Sequence, residues 1–223
     1  VTIPALAWAF GLLQKAQPEP PQTYPELQPG AEGVSDTGHV IVIGYGRVGS
    51  LVGEMLKRHD VPYLAIDGDA KLVVNERKNG FPVYWGDATN LELLRKSGLE
   101  EARAIVLTMD APRAMEIIVS TVRRERADIT IVARARDAHH ATILYGLGAS
   151  DAIPETIEAS LQLSEATLVD IGVPMGYVIA SIHEKRDEYR KFLQPKGEKQ
   201  AKRHQIRYAR RVQEMKRLAN ERD

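Results

Sequence analysis

The stretch His39-Val40-Ile41-Val42-Ile43-Gly44-Tyr45-Gly46-Arg47-Val48-Gly49 sets the reading of the whole chain. Residues 40–43 form an uninterrupted apolar run, which suits a strand buried on both faces. A G-x-G-x-x-G pattern follows, and residues 47–58 then carry Val48, Leu51, Val52, Met55 and Leu56 at helical spacing. Strand, glycine turn and helix together are the setting in which this pattern binds a phosphate. Gly44 permits the tight turn, Gly46 lets an anion reach the backbone, and Gly49 lets the helix pack on the strand. The first helical amides, at Arg47 and Val48, would face the anion with the positive end of the helix dipole.

Downstream, short apolar runs alternate with helical patterns. Strands are expected at 63–66, 82–85, 104–107, 129–133 and 152–153, and helices at 70–78, 110–126 and 139–145. Between the third strand and the fourth, Thr89 can cap a helix, with Glu92 reaching back to it as a capping box. Asp110 can cap the helix after the fourth strand. The alternation predicts an α/β fold: a Rossmann-like, doubly wound parallel sheet of about six strands, over residues 39–154, followed by C-terminal helices.

Three strand ends then fall on one edge, where ligands of such sheets bind. Asp67 ends the second strand, and Gly68 follows it. A carboxylate there accepts from the hydroxyls of an adenosine ribose and repels a 2′-phosphate. An NAD-type or adenosine nucleotide is therefore expected, not NADP. Asp87 and Ala88 follow the third strand and could flank an adenine ring; Thr108 and Met109 follow the fourth.

The flanks differ from this core. Residues 1–13 are almost entirely apolar and carry no charge, with Lys15 just beyond. A membrane-spanning helix needs about 20 apolar residues, so the run reads as the end of such a helix over 1–15, or else as an ordinary buried helix. Residues 16–38 hold Pro18, Pro20, Pro21, Pro25 and Pro29, which suits an extended linker. Residues 155–171 read as a long amphipathic helix with Ile157, Leu161 and Leu168 on one side and Leu163 and Ala166 beside them. Because the sheet is already complete, that side is expected to bury itself against a second copy of the chain. Residues 175–192 read as helical, and 193–223 as a basic tail.

Composition removes several functions. The 223 residues carry 30 basic and 30 acidic side chains, so net charge points to no nucleic acid. Cysteine is absent, which excludes disulfides, thiolate metal sites and thiol nucleophiles. His139 and His140 are neighbours on the chain and do not share a helix face. His183-Glu184 begins like H-E-x-x-H, but Asp187 stands where the second histidine belongs. No G-x-S-x-G elbow or Walker loop is present. A nucleotide site with no catalytic constellation suggests a sensor, not an enzyme; a small NAD-dependent oxidoreductase is the enzyme-class alternative.

Several stretches resemble one family. The glycine-loop segment looks like the opening of the KTN/RCK domain, also called the TrkA N-terminal domain. Tyr84-Trp85-Gly86-Asp87-Ala88-Thr89 resembles its "GDA" signature. Ile131-Val132-Ala133-Arg134-Ala135-Arg136-Asp137 and Pro154-Glu155-Thr156 are similar to segments of Kef-type potassium-efflux systems, in monovalent cation:proton antiporter family 2. The resemblance implies a domain that follows the last transmembrane helix through a linker, on the cytoplasmic face of the bacterial inner membrane. It implies binding of AMP or NAD(H) at the glycine loop and a homodimer through residues 155–192. It also implies control of a potassium or other monovalent cation/proton antiporter whose membrane part lies N-terminal. Potassium-channel and uptake systems use the same domain and are the alternative. Glutathione-gated relatives carry a basic residue where this sequence has Glu54, and an acid there repels glutathione carboxylates. Arg134 and Arg136 remain candidate ligands for another regulatory anion.

Overall fold

The computed structural model describes residues 38–194. The expected membrane-helix end at 1–15, the linker before residue 38 and the tail beyond residue 194 lie outside the described residues.

Strands and helices alternate in the order β1 (Val40–Ile43), α1 (Arg47–Arg58), β2 (Tyr63–Asp67), α2 (Ala70–Lys78), β3 (Val83–Trp85) and α3 (Leu91–Lys96). They continue with β4 (Ala104–Leu107), α4 (Pro112–Glu125), β5 (Thr130–Ala135), α5 (Ala138–Leu147) and β6 (Asp151–Pro154). All six strands join one parallel sheet in the order β3-β2-β1-β4-β5-β6. This is the doubly wound Rossmann-like fold expected, with the order reversing at β1. β1 is central and wholly buried, which explains its unbroken apolar run. Val52 and Leu56 of α1 and Leu72 and Val73 of α2 pack with Val40 and Val42 on one side of the sheet. Leu94, Met115, Ile118, Val122, Ala141 and Leu144 of α3–α5 cover Ile41, Ile43, Ile105 and Ile131 on the other.

Boundaries shift where backbone chemistry demands it. β3 starts one residue after Pro82, which has no N–H to donate but whose carbonyl accepts from Ala65 at 2.8 Å. β5 runs on to Ala135 because β6 pairs with it as far as Ala135 and Pro154. Two capping expectations are corrected. Asn90, not Thr89, caps α3, its side chain accepting from Glu92 N–H at 2.9 Å. Thr89 instead donates both its N–H and its hydroxyl to Asp87. α4 has Ala111 at its N-cap without any side-chain bond, and Pro112 opens the helix where a donor is not needed.

Two helices follow the sheet, α6 (Glu155–Asp170) and α7 (Met175–Leu193). The apolar side of α6 finds its first cover within the same chain: Leu161 is buried against Val178 and Ile182 of α7, with Ile157, Leu168, Val169 and Val173 around them. Arg186 of α7 clasps Glu158 of α6 through two contacts of 3.0 Å. The end of α7 docks on the main domain. Leu193 joins the larger core, and Arg190 pairs with Asp151 at 3.2 Å. Leu163, Ile171, Met175, Tyr177 and Phe192 stay exposed on this helical pair. No helix among the described residues is long and apolar enough to cross a membrane.

Candidate nucleotide site

The three loop glycines do three different things. Gly44 sits at φ +86, and a Cβ on it would stand 2.9 Å from the Met109 amide nitrogen. That φ belongs to the left-handed region, where a side chain is strained. A Cβ on Gly49 would lie 2.0 Å from the Gly44 carbonyl oxygen, so α1 touches the loop there. A Cβ on Gly46 would meet nothing within 4 Å, so the space above it is open. Gly46 is also the N-cap of α1, and no side chain caps that helix. Asp69, Asn90 and Asp137 cap α2, α3 and α5, whereas α1 shares with α4, α6 and α7 the lack of a side-chain cap. Arg47 and Val48 are exposed residues, and their amides, in the first turn of α1, keep the capacity of a helix N-terminus to bind an anion.

Thr108, at the end of β4, ties the loop down. Its hydroxyl donates to the Gly44 carbonyl at 2.7 Å and lies 3.1 Å from the Ile43 carbonyl. Tyr45 anchors the loop from the other side. Its hydroxyl meets that of Tyr63 at 2.8 Å in the core, and Gly53 of α1 leaves the room, since a Cβ there would lie 2.6 Å from the Tyr45 hydroxyl. Burial first, then the Tyr63 hydrogen bond, pushes the Tyr45 phenol well above its ordinary range and keeps it neutral. Sequence reading passed over Tyr45, because its partner lies far along the chain.

Asp67 is held at both oxygens. The Tyr45 N–H donates to Oδ2 at 2.6 Å, and the Asp69 N–H donates to Oδ1 at 2.7 Å. A carboxylate oxygen has a second lone pair, so each can still accept from a hydroxyl. The carboxylate is thus oriented before any ligand arrives.

Asp67 and Gly68 line a cleft of about 260 Å³ with Ile43, Gly44, Ile66, Trp85, Gly86, Asp87, Ala88 and Met109. Ligand pockets usually start near about 300 Å³, so this volume suits one nucleoside end of a ligand. The floor is apolar, and its two acids, Asp67 and Asp87, stand at the strand ends. Oδ1 of Asp87 accepts from both the amide and the hydroxyl of Thr89. Trp85 was not among the residues singled out from the sequence. Its indole N–H donates to the Gly68 carbonyl at 3.1 Å.

The structure places the two candidate arginines differently. Arg134, half-buried at the end of β5, is paired with Glu155 through Nε and Nη2, and its Nη1 donates to the Thr108 carbonyl at 3.1 Å. The Glu155 hydrogen bond holds its guanidinium still more firmly protonated. Arg136 is exposed and lies 3.4 Å from Asp137. Glu54 is exposed on α1. His140 is buried beside Glu116, and no cluster able to hold a metal ion occurs among the described residues.

The family model described as the TrkA-N domain matches residues 40–155, which take in every strand and the whole cleft. The chain belongs to the TrkA-N family. This TrkA-N domain is 34% identical over 148 residues to the putative K(+) efflux antiporter KefB of Alkalimonas amylolytica, covering 66% of this chain and 22% of that protein. It is 33% identical over 152 residues to the chloroplastic K(+) efflux antiporter 2 of Arabidopsis thaliana, covering 68% of this chain and 13% of that protein. The chain therefore corresponds to a small part of either antiporter. The fold is similar to the Shewanella denitrificans Kef CTD in AMP-bound form, with TM-score 0.61, 26% identity, and coverage of 70% of this chain and 95% of that one.

Proposed function

We propose that this TrkA-N domain is the cytosolic nucleotide-binding regulatory unit of a potassium or other monovalent cation/proton antiporter, with no catalytic activity of its own. The observation that carries the reading is the joining of an open, uncapped loop at Gly46 to a pre-oriented carboxylate at Asp67, which accepts from the amide of the neighbouring Tyr45 and lines a small cleft with Gly44. The loop amides at Gly46, Arg47 and Val48 take a phosphate, and Gly44 and Gly49 hold them in place. Asp67 accepts from ribose hydroxyls, and Gly68 leaves the neighbouring backbone bare. Asp87, Ala88, Thr108 and Met109 border the base. The ligand is AMP or NAD(H); the 2′-phosphate of NADP would meet the Asp67 charge.

The antiporter assignment is supported by the efflux antiporters to which the chain is similar. The membrane part would precede this domain, which would lie on the cytoplasmic face of a bacterial inner membrane. A homodimer through residues 155–192 is favoured by the apolar side chains left exposed on α6 and α7. A further anionic effector at Arg134 and Arg136 would have to displace Glu155 from Arg134.

A ligand shifts such a regulatory equilibrium only by its difference in affinity for the two states, and a tenfold preference corresponds to about 1.4 kcal/mol. The test is cation flux in vesicles containing the intact antiporter, wild type against Asp67→Ala, with and without AMP or NAD(H). A nucleotide response that weakens in the variant supports the reading. Identical responses across the whole concentration range would remove Asp67 from regulation, and no response in either would leave a structural cradle.

A further inference from the structure

We propose that His140 is a proton-responsive switch at the turn from β5 into α5: proton uptake by its ring gives up the Arg136 amide for the Glu116 carboxylate and loosens that turn. The inference goes beyond the nucleotide site and does not depend on it. His140 stands in the first turn of α5 and is 4% exposed. Its two ring nitrogens have unlike surroundings. Nδ1 accepts from the Arg136 N–H at 3.3 Å. Nε2 is buried with no hydrogen-bond partner among the described residues. The Glu116 carboxylate of α4 lies 3.9 Å from it, within ion-pair range and too far for a hydrogen bond. Because Nδ1 accepts, the single proton of the neutral ring belongs on Nε2. A buried N–H without an acceptor is a cost to the fold, not a fastening.

A second proton has to go to Nδ1, where it faces the Arg136 N–H, donor against donor. The same proton gives the ring a charge that the half-buried Glu116 attracts. Proton uptake thus works against one contact and for the other, and draws the ring from the turn toward α4. The other ionisable groups around α5 are engaged or lie further off. On its own segment, Asp137 accepts from the His140 N–H at 2.8 Å and meets Arg136 at 3.4 Å, and His139 is exposed. On α4, Arg113 is exposed one turn before Glu116, and Arg123 meets α5 at Gly148. From β5, Arg134 is committed to Glu155. From β6 and α7, Asp151 and Arg190 meet α5 at Tyr145, further along the helix. Arg136 follows closely on Arg134, whose side chain ties Thr108 to Glu155, so the loosened turn adjoins the joint between the glycine loop and α6.

The alternative is a neutral histidine that only fills space between α4 and α5. Imidazole ordinarily changes charge between about pH 5 and pH 8, so NMR of the full chain over that range separates the two. It reads the His140 ring carbons and the protection of the Arg136 amide, corrected for the intrinsic exchange rate, in wild type, His140→Gln and Glu116→Gln. Melting confirms that each is folded. The switch predicts that the ring titrates and that Arg136 protection falls with it by about fivefold, the loss of one hydrogen bond. His140→Gln should abolish the fall. Glu116→Gln should move ring and amide together to lower pH, because the charged ring loses its counter-charge. That variant carries the test if His140→Gln does not fold. A ring that stays neutral down to about pH 5, or an Arg136 amide that does not follow the ring, would overturn the proposal. So would a fall that survives in His140→Gln, or a midpoint unmoved by Glu116→Gln. None of these outcomes bears on the nucleotide site, which stands or falls by titration with AMP.

Discussion

Arg134, near the end of β5, holds Glu155, the first residue of α6, with two guanidinium nitrogens, while a third donates to the carbonyl of Thr108. Thr108 in turn holds the Gly44 carbonyl with its hydroxyl. The glycine loop and the helix expected to dimerise are thus joined through four residues. The joint should pass a loop displacement on to α6. We expect nucleotide to slow amide exchange in the first turns of α6 in the wild type. In Glu155→Gln that protection should fall, with binding of nucleotide retained. Equal protection in both proteins would show that the ion pair is a fastening and nothing more.

The glycines should separate binding from folding. Gly46→Val places a side chain in open space, so the melting point should stay close to wild type while AMP binding is lost. Gly49→Ala drives a methyl group into the Gly44 carbonyl, and overpacking against backbone should cost about 3 kcal/mol or more. Calorimetric titration and urea unfolding of the two variants check both statements.

Much of this site is legible in the residues themselves. A four-residue apolar run before three spaced glycines leaves few other folds, and the acid at position 67 follows from where the next strand ends. Other parts depend on contacts that pattern does not carry. Tyr45 reads as a variable loop position until Tyr63 and Gly53 are brought against it. A three-residue strand is too short for alternation to say which way Trp85 turns. Arg134 looks like a free ligand until the β5–β6 register, which pairs it with Ile153, brings Glu155 two residues further on within reach of its side chain. Helical periodicity shows that α6 has an apolar side but not what covers it, and the cover at Leu161 is α7 of the same chain.

That last point makes the two α6 leucines distinguishable. Leu161 packs on Val178 and Ile182, so Leu161→Ala should cost about 3 kcal/mol in the chain itself. Leu163 is 70% exposed, so Leu163→Glu should leave unfolding within about 0.5 kcal/mol of wild type, apart from any contribution of assembly. If residues 155–192 dimerise as proposed, light scattering should show Leu163→Glu shifted toward monomer. An unchanged mass would place the interface elsewhere.

Stability should fall in alkali. Burial, with the Asp151 hydrogen bond, pushes the Tyr145 phenol from 10.0 up to about 12. Its hydroxyl donates to Asp151 at 2.6 Å, beside the Arg190 contact that docks α7. The unfolded chain releases this proton first, so the contribution is full below pH 10 and is lost as pH rises through about 12. The Tyr45 and Tyr63 phenols, also raised by burial, act in the same direction. Tyr145→Phe should cost about 1 kcal/mol at neutral pH and flatten part of the alkaline fall. Unfolding midpoints between pH 8 and pH 12 would show it, and an equal slope in both proteins would contradict it.

The account turns on the pairing of the open loop with the fixed carboxylate, and calorimetric titration of the full chain with AMP, NAD and NADP tests that pairing most directly. The account predicts binding of AMP or NAD, NADP weaker by about tenfold or more, a gap that narrows in Asp67→Asn, and no binding in Gly46→Val. Equal affinity for NAD and NADP in the wild type, or undiminished binding by Gly46→Val, would contradict it.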